Sequence, residues 1–268
     1  MTIKRPLILI TNDDGIDSPG LHAVVKAIAD LGELLIMAPS TQQTGAGRSY
    51  PTTADKTVIK TQIPLQDGPL PAHKAKVSPA QAVALAIREL AERPIDLCIS
   101  GINFGENVGS GITISGTVGA AIEAACFGIP SLAMSLQTPV EYHLHHSDSV
   151  DFSTAAYFTR YFAARALERG LPDGVDLLKI DVPADATPET PWRAARISRQ
   201  RYYQAPVTSD KADRVVNRFI YEPYVDTERV EPDSDIYALA IDKIIAVTPM
   251  TIDLTAPIKM EAFSSFYA

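Results

Sequence analysis

The sequence predicts an α/β fold built on a parallel sheet, and two observations support this prediction. Short apolar runs, such as residues 7–10 (LILI) and 34–38, are typical of strands that are buried on both faces. The segment between these runs has apolar residues at helical spacing, so strand, helix and strand form one βαβ unit. We expect the helix to begin at Ser18-Pro19 and to end at Gly32.

An acidic turn follows the first predicted strand, with the sequence Asn12, Asp13, Asp14 and Gly15. Open α/β sheets bind ligands beyond the carboxyl ends of their strands, and a glycine lets the chain turn there. Two neighbouring carboxylates in a cleft raise each other's pKa unless a cation lies between them. Because oxygen ligands favour Mg²⁺ or Mn²⁺, we predict a divalent-cation site here. The alternative is an ordinary polar turn, since Asn, Asp and Gly are common turn residues.

The composition limits the classes of protein to which this chain can belong. The chain has 268 residues, of which 46% are hydrophobic and 21% are charged, and this suits one substantial globular core. A net charge of −8 argues against a general nucleic-acid or membrane surface. Cys98 and Cys126 are expected to be buried free thiols. We see no signal peptide and no membrane-spanning run, so we expect a cytoplasmic protein without a nucleic-acid polymer or a membrane as partner.

A polar loop over residues 40–50 leaves the second strand at the same sheet edge as the two aspartates. Thr44 offers a hydroxyl there, although such a segment is also typical of an ordinary surface loop. Residues 51–77 are too weakly patterned to assign. A second Ser-Pro pair predicts the start of a helix over 78–90, and a buried strand is expected over 95–100.

Residues 101–119 (GINFGENVGSGITISGTVG) contain six glycines and lead from that strand into a helix. Glycines let backbone N–H groups approach a phosphate, and the helix N-terminus adds its dipole. We therefore predict a phosphate cradle to which Ser115 and Thr117 contribute, although helix capping alone also explains these residues. The spacing fits no P-loop, dinucleotide fingerprint or nucleophile elbow.

The second half of the chain is less strongly patterned. Residues 140–146 contain three of the five histidines, and we expect a solvent-facing loop there, with a zinc site as the alternative. The apolar runs 237–241 and 244–248 are expected to form a β-hairpin that contacts another subunit. Further strands are expected at 131–135 and 177–182, and a helix with aromatic core residues at 151–169.

Four separated segments resemble the SurE family, the stationary-phase survival proteins that act as metal-dependent nucleotidases. These segments are residues 12–15, 38–45, 100–107 and 115–121, and the C-terminal run 247–255 fits as well. The resemblance implies a three-layer α/β/α core with a Rossmann-like, mostly parallel sheet.

The resemblance also implies how the chain is divided. Residues 1–268 would form a single SurE-like domain, with its core at about 1–198 and 236–255. A smaller C-terminal β-hairpin or extended arm, at about 199–250, would serve oligomerisation into a homodimer or tetramer.

The activity that the resemblance implies is hydrolysis of nucleoside 5′- and 3′-monophosphates, and also of short polyphosphate. It implies one divalent cation per subunit, Mg²⁺ or Mn²⁺, with Asp13, Asp14, Thr44 and Asn103 as its ligands. The family usually has serine at position 44. Threonine keeps the oxygen but is stiffer about χ1, so we expect the ligand role to survive with an altered metal preference or rate. Residues 179–182 (KIDV) stand where the family commonly has asparagines, and no role is carried over to them.

The resulting hypothesis is metal-assisted hydrolysis of a phosphomonoester. Asp13 and Asp14 would be catalytic, with Asp13 favoured as general base because it lies nearer the strand end. Two other functions fit the same residues: a non-catalytic, metal-dependent nucleotide-binding or regulatory module, and a phosphatase that acts on other small phosphomonoesters. The residues expected to bind the phosphate are Asn103, Ser115, Gly116 and Thr117.

Overall fold

A computed structural model describes residues 5–53, 55–65, 68–144, 147–204 and 221–268. Within these residues a nine-stranded sheet forms the centre of the fold, in the order β3-β4-β2-β1-β5-β6-β7-β11-β8, and β9 and β10 form a separate pair. In chain order the strands are β1 (Leu7–Thr11), β2 (Glu33–Pro39), β3 (Asp55–Ile63), β4 (Leu70–Lys76), β5 (Leu97–Phe104), β6 (Ser131–Leu136), β7 (Leu177–Val182), β8 (Trp192–Ala194), β9 (Tyr203–Gln204), β10 (Glu222–Pro223) and β11 (Ile245–Met250).

Most of the central sheet is parallel, as the sequence predicts. β1 pairs in parallel with β2 on one side and with β5 on the other, and β6 and β7 continue the parallel order. Antiparallel pairing is found towards the two edges, between β3 and β4 and between β7 and β11. After β1 the chain adds β2 on one side of that strand, and it later adds β5 on the other side. This change in the direction of strand order opens a crevice beyond the carboxyl end of β1.

Helices cover both faces of the sheet and give the expected three layers. Ile8 and Ile10 of β1 belong to the core that the first and fourth helices complete, whereas Leu7 and Leu9 face the second and third. This alternation is the period of two of a strand that is buried on both faces. The helices are α1 (Pro19–Ile28), α2 (Pro79–Leu85, continued by a π-helical turn, Ala86–Leu90), α3 (Gly116–Cys126), α4 (Ser153–Arg169) and α5 (Met260–Tyr267).

The predicted hairpin over 237–241 and 244–248 is wrong. Tyr237–Ile241 is a π-helical turn, and only the second run forms a strand, β11, which is inserted between β7 and β8. Ile236 and Leu239 are fully buried in a small cluster with Val108 and Tyr202. Because residues three apart share one face of a helix, this packing stabilises a helical turn in place of a strand.

Two further predictions about individual regions need correction. Cys98 is buried as expected, but Cys126 is exposed at the end of α3. The histidine segment is not uniformly solvent-facing, because His143 is only 5% exposed. Histidines 145 and 146 lie outside the described residues, as does the part of the predicted arm at 205–220. Among the described residues, no helix is long and apolar enough to cross a membrane.

Candidate active site

The acidic turn lies directly beyond β1 and is held by its own side chains. The Asn12 side-chain amide donates to the Gly15 carbonyl at 3.0 Å, and its oxygen accepts from the Gly15 N–H at 3.1 Å. Gly15 has a φ of +98°, which an L side chain rarely adopts. The turn leaves Asp13 4% and Asp14 2% exposed, so both carboxylates are inside the protein.

Hydrogen bonds connect the two carboxylates to different elements around the crevice. The Thr117 hydroxyl, in the first turn of α3, donates to Asp13 Oδ1 at 2.5 Å. Asp14 Oδ2 accepts from the backbone N–H of Phe104 at 3.2 Å, and Asp14 Oδ1 accepts from the side chain of Gln42 at 3.0 Å. The acidic turn therefore joins β5, α3 and the loop that follows β2.

Burial dominates the electrostatics of this pair. It raises the pKa of Asp13 to about 6, against the opposing effect of the Thr117 hydrogen bond. The pKa of Asp14 is raised well above its ordinary value, first by burial and then by the negative charge of Asp13. Two buried carboxylates of this kind attract a cation, which relieves both effects at once.

The loop after β2 brings Thr44 to the cavity beside Asp13. The backbone N–H of Gln43 donates to the Asp13 carbonyl at 2.7 Å, which ties the loop to the acidic turn. Further along, Arg48 Nε lies 2.6 Å from a carboxylate oxygen of Glu123 on α3, and the Tyr50 hydroxyl donates to the same carboxylate. The loop is thus fixed at both ends around the Thr44 hydroxyl.

Asn103 lies near the end of β5 and lines the same cavity. Its side-chain nitrogen donates to the carbonyls of Gly105 at 2.6 Å and Phe104 at 3.2 Å. Because the nitrogen is used by the backbone, the amide oxygen is the atom that can serve as a cation ligand.

The N-terminus of α3 closes the site on its other side. Ser115 caps the helix, since its hydroxyl accepts from the Val118 N–H at 3.1 Å, so the capping alternative holds for this residue. An alanine Cβ at Gly116 would lie 2.6 Å from the Cβ of Asp13, so only glycine permits this approach. Thr117 is fully buried, and its hydroxyl is used by Asp13.

A cavity of about 410 Å³ opens above these groups. Four of the predicted site residues line it, namely Asp13, Thr44, Asn103 and Ser115, whereas Asp14, Gly116 and Thr117 lie behind them. The wall also includes an aromatic group that the sequence reasoning missed: His143, Tyr203 and Tyr221. Their ring centroids lie 5.2–5.9 Å apart, as in packed aromatic pairs.

His143 is built into this wall by its hydrogen bonds. Its Nδ1 lies 3.1 Å from the Tyr221 hydroxyl, and its Nε2 lies 3.1 Å from the Thr138 carbonyl. Burial lowers the pKa of His143, so its neutral form is favoured. The histidine cluster at 140–146 is the sequence signal for His143, but the spacing does not indicate which of the three histidines is buried.

The donor set of the site fits a hard divalent cation. Among the described residues, no group of three or more His, Cys, Asp and Glu side chains is placed to hold a metal, and two of the three histidines of the zinc alternative lie outside those residues. Two carboxylates, a hydroxyl and an amide oxygen are the ligand types that Mg²⁺ and Mn²⁺ prefer, with water in the remaining positions. Burial raises the pKa of both acids, and the charge of Asp13 adds to the effect at Asp14, so a cation beside them would favour their ionised forms.

Fold and site together define an α/β protein with an acidic, oxygen-lined site beside a helix N-terminus at the strand ends. Comparison with known proteins identifies the group within that class. Residues 8–204 match the family model described as "Survival protein SurE", and the chain belongs to this family.

Individual relatives agree with this membership. The chain is 40% identical over 254 residues to the 5′-nucleotidase SurE of Thermococcus gammatolerans, covering 95% of this chain and 93% of that protein. It is 49% identical over 181 residues to the 5′-nucleotidase SurE of Methanothermobacter thermautotrophicus, covering 66% and 68%. The crystal structure of the SurE protein from Aquifex aeolicus superposes with a TM-score of 0.75 at 26% identity, covering 98% of this chain and 100% of that one.

Proposed function

We propose that this protein is a 5′-nucleotidase, a divalent-metal-dependent phosphoric monoester hydrolase that releases phosphate from nucleoside 5′- and 3′-monophosphates. The observation that carries the proposal is the placement of two adjacent buried carboxylates beside a helix N-terminus, with Asp13 lining a cavity whose other wall is aromatic. Curated relatives with this fold bear the name 5′-nucleotidase, which supports the same reaction.

The residues that would hold the cation are Asp13, Asp14, Thr44 and Asn103. Thr44 and Asn103 line the cavity together with Asp13, and Asp14 follows Asp13 in the acidic turn, just behind the cavity wall. We propose one Mg²⁺ or Mn²⁺ per subunit, which when bound polarises a phosphate oxygen and lowers the pKa of a water.

The groups of the chain itself bind the phosphate and move the proton. We propose that the N-terminus of α3, with Ser115, Gly116 and Thr117, favours a bound phosphate through the positive end of its helix dipole, and Ser115 is the one of the three that lines the cavity. Asp13 is the proposed general base. Its carboxylate lines the cavity, where it could accept the proton of an attacking water. The Thr117 hydroxyl fixes the orientation of this carboxylate.

The aromatic wall favours a nucleoside over a bare phosphate or a small sugar phosphate. His143, Tyr203 and Tyr221 offer ring faces and edges on which a base can pack. The cavity volume of about 410 Å³ lies within the usual range of small-molecule sites. A phosphatase for other small phosphomonoesters, or for short polyphosphate, would use the same acidic turn and helix N-terminus, but its substrate has no base to pack against the aromatic wall.

The test is release of inorganic phosphate from nucleoside monophosphates, sugar phosphates and short polyphosphate, with Mg²⁺, Mn²⁺ or EDTA. We expect release from nucleotides that requires metal and that is lost in Asp13→Asn. Asp17→Asn is the matched control, because this aspartate is exposed four positions further along the chain. Full metal-dependent turnover in Asp13→Asn would contradict the assignment of Asp13.

A non-catalytic nucleotide-binding module is the competing function, and the same samples distinguish it. In that case nucleotide raises the melting temperature by linkage but is not consumed. We also propose that the part of the arm that precedes β11 supports a homodimer or tetramer, which light scattering of the purified protein would test. The cytoplasmic location stays a prediction from the sequence.

A further inference from the structure

A buried cluster of three charged side chains lies behind the wall of the cavity. Lys179 on β7 places its Nζ 2.5 Å from Asp181 Oδ2 and 3.1 Å from Asp235 Oδ2. All three side chains are fully buried. Burial by itself would lower the pKa of Lys179, but the two carboxylates raise it, so the ammonium stays charged. We refer to these three residues as the Lys179 cluster.

Stability alone is a poor explanation for this cluster. Removing charges from water costs several kcal/mol per ion, and apolar residues of similar volume are often equally good or better for stability. The cost of burying charge shows at Asp181, because burial raises the pKa of this carboxyl to about 6 despite the adjacent lysine. The cluster has two carboxylates and one ammonium, so it also keeps a net negative charge inside the protein. Its hydrogen bonds to the backbone indicate a role in positioning the cavity wall.

The carboxylates of the cluster accept hydrogen bonds from the backbone next to the cavity. Asp181 Oδ1 accepts from the Asn107 N–H at 2.7 Å, and Asp235 Oδ2 accepts from the Gly109 N–H at 3.1 Å. These two N–H groups flank Val108, and both Asn107 and Val108 line the cavity. Asn103, a proposed cation ligand at the end of β5, precedes Asn107 by four residues, so the position of this segment bears on the site.

The cluster also reaches the opposite wall. Asp235 Oδ1 accepts from the backbone N–H groups of Ser198 and Ile236, at 2.9 and 2.8 Å. The chain from Ser198 runs on to Arg201 and Tyr203, which line the cavity as well. The Lys179 ammonium thus binds two carboxylates, and through their hydrogen bonds these carboxylates fix the relative position of two walls of the cavity.

We propose that Lys179 is a positioning residue for phosphate-ester binding, acting through Asp181 and Asp235 on the segment 107–109. This inference rests on the proposed nucleotidase function and adds a residue that touches no substrate. Without the ammonium, two carboxylates that share one Nζ repel each other. Their hydrogen bonds to Asn107 and Gly109 then shift, and the cavity wall moves with them.

The test compares kcat and KM of Lys179→Met with those of the wild type, on a nucleoside monophosphate that the wild type hydrolyses. We expect kcat/KM to fall about 100-fold, the loss that a displacement near 1 Å causes. Most of the loss should appear in KM, because the segment 107–109 lines the cavity but carries neither acid of the turn. The double variant Lys179→Gln/Asp181→Asn keeps the net charge of the cluster and an acceptor for the Asn107 N–H, so we expect it to recover most of the loss.

Ile180→Ala is the control for lost stability. Ile180 is the next residue of β7 and is fully buried on the opposite face of the sheet, so its truncation weakens the same strand without touching the cluster. We expect a lower melting temperature but a KM equal to that of the wild type. A wild-type KM in Lys179→Met, or an equal rise of KM in Ile180→Ala, would overturn the proposal.

Two further measurements keep the test decisive. If Lys179→Met does not fold, Lys179→Gln takes its place, and a wild-type KM there overturns the proposal. Calorimetric binding of inorganic phosphate to the same variants tests positioning without turnover. A wild type that binds phosphate but hydrolyses no ester would refute the proposed function, whereas weaker phosphate binding in Lys179→Met alone would still support the positioning role.

Discussion

Gly116→Ala is a sharp test of the close contact between α3 and the acidic turn. An alanine Cβ at this position would lie 2.6 Å from the Cβ of Asp13 and 2.7 Å from its Oδ2. Carbon atoms in contact are normally about 3.5–4.0 Å apart, so the helix and the carboxylate must separate by about 1 Å. A shift of this size in a proposed general base predicts a loss of about 100-fold in kcat/KM. Overpacking of the buried turn should cost about 1–3 kcal/mol of unfolding free energy.

The assay is metal-dependent phosphate release, measured beside thermal melting of the same preparation. Gly111→Ala is the matched control, because the same substitution there meets no atom within 4 Å and needs no unusual φ. Because Gly111 lines the cavity, this control is compared for stability, and we expect it to keep the wild-type melting temperature. Wild-type activity in Gly116→Ala, with the fold intact, would refute the argument that α3 must touch Asp13.

Three other expectations follow from buried groups. In metal-free protein, Thr117→Val should be less stable than Thr117→Ser by about 1.5–3 kcal/mol at high pH, because it leaves the ionised Asp13 without the hydroxyl. This difference in stability should shrink as the pH falls through 6, because a protonated Asp13 needs the hydroxyl less. Burial raises the pKa of Glu106 above its ordinary value of 4.5, so the wild type should lose melting temperature relative to Glu106→Gln as the pH rises from 4.5; parallel curves would contradict this. A thiol reagent should modify exposed Cys126 in the native protein but not Cys98, whose pKa burial raises to about 12; two fast-reacting thiols would contradict the structure.

The parts of the structure that the sequence predicted well are those with local signals. β1, α1 and β2 have clear apolar periods, and the Ser78-Pro79 start of α2 forms the full capping box. The acidic turn was located because Asp13 and Asp14 follow a buried strand, a position that parallel sheets use for ligands. In each case the residues that decide the structure lie within about ten positions of one another, which is the range of a helix or a strand with its turn.

The parts that the sequence did not predict depend on distant contacts. β3 is mostly exposed at the sheet edge, so its residues show no buried period. The run Tyr237–Ile241 is short and apolar enough for either a strand or a helical turn, and its packing with Val108 decided between them. Lys179 and Asp181 have no recognisable role until the fold brings Asp235, 54 residues further along the chain than Asp181, beside Lys179. No local pattern contains that information.

The insertion of β11 between β7 and β8 has a consequence for how the protein is made. β7 and β8 precede residue 195, yet β11 is the strand that pairs with both and joins them into one sheet. On the ribosome, β7 therefore has an unpaired edge until synthesis has passed residue 250. Open edges of this kind can pair with other chains, so newly made molecules depend on rapid completion or on chaperones. A chain truncated between residues 195 and 244 would keep a sheet edge at β7 that a neighbouring chain can extend.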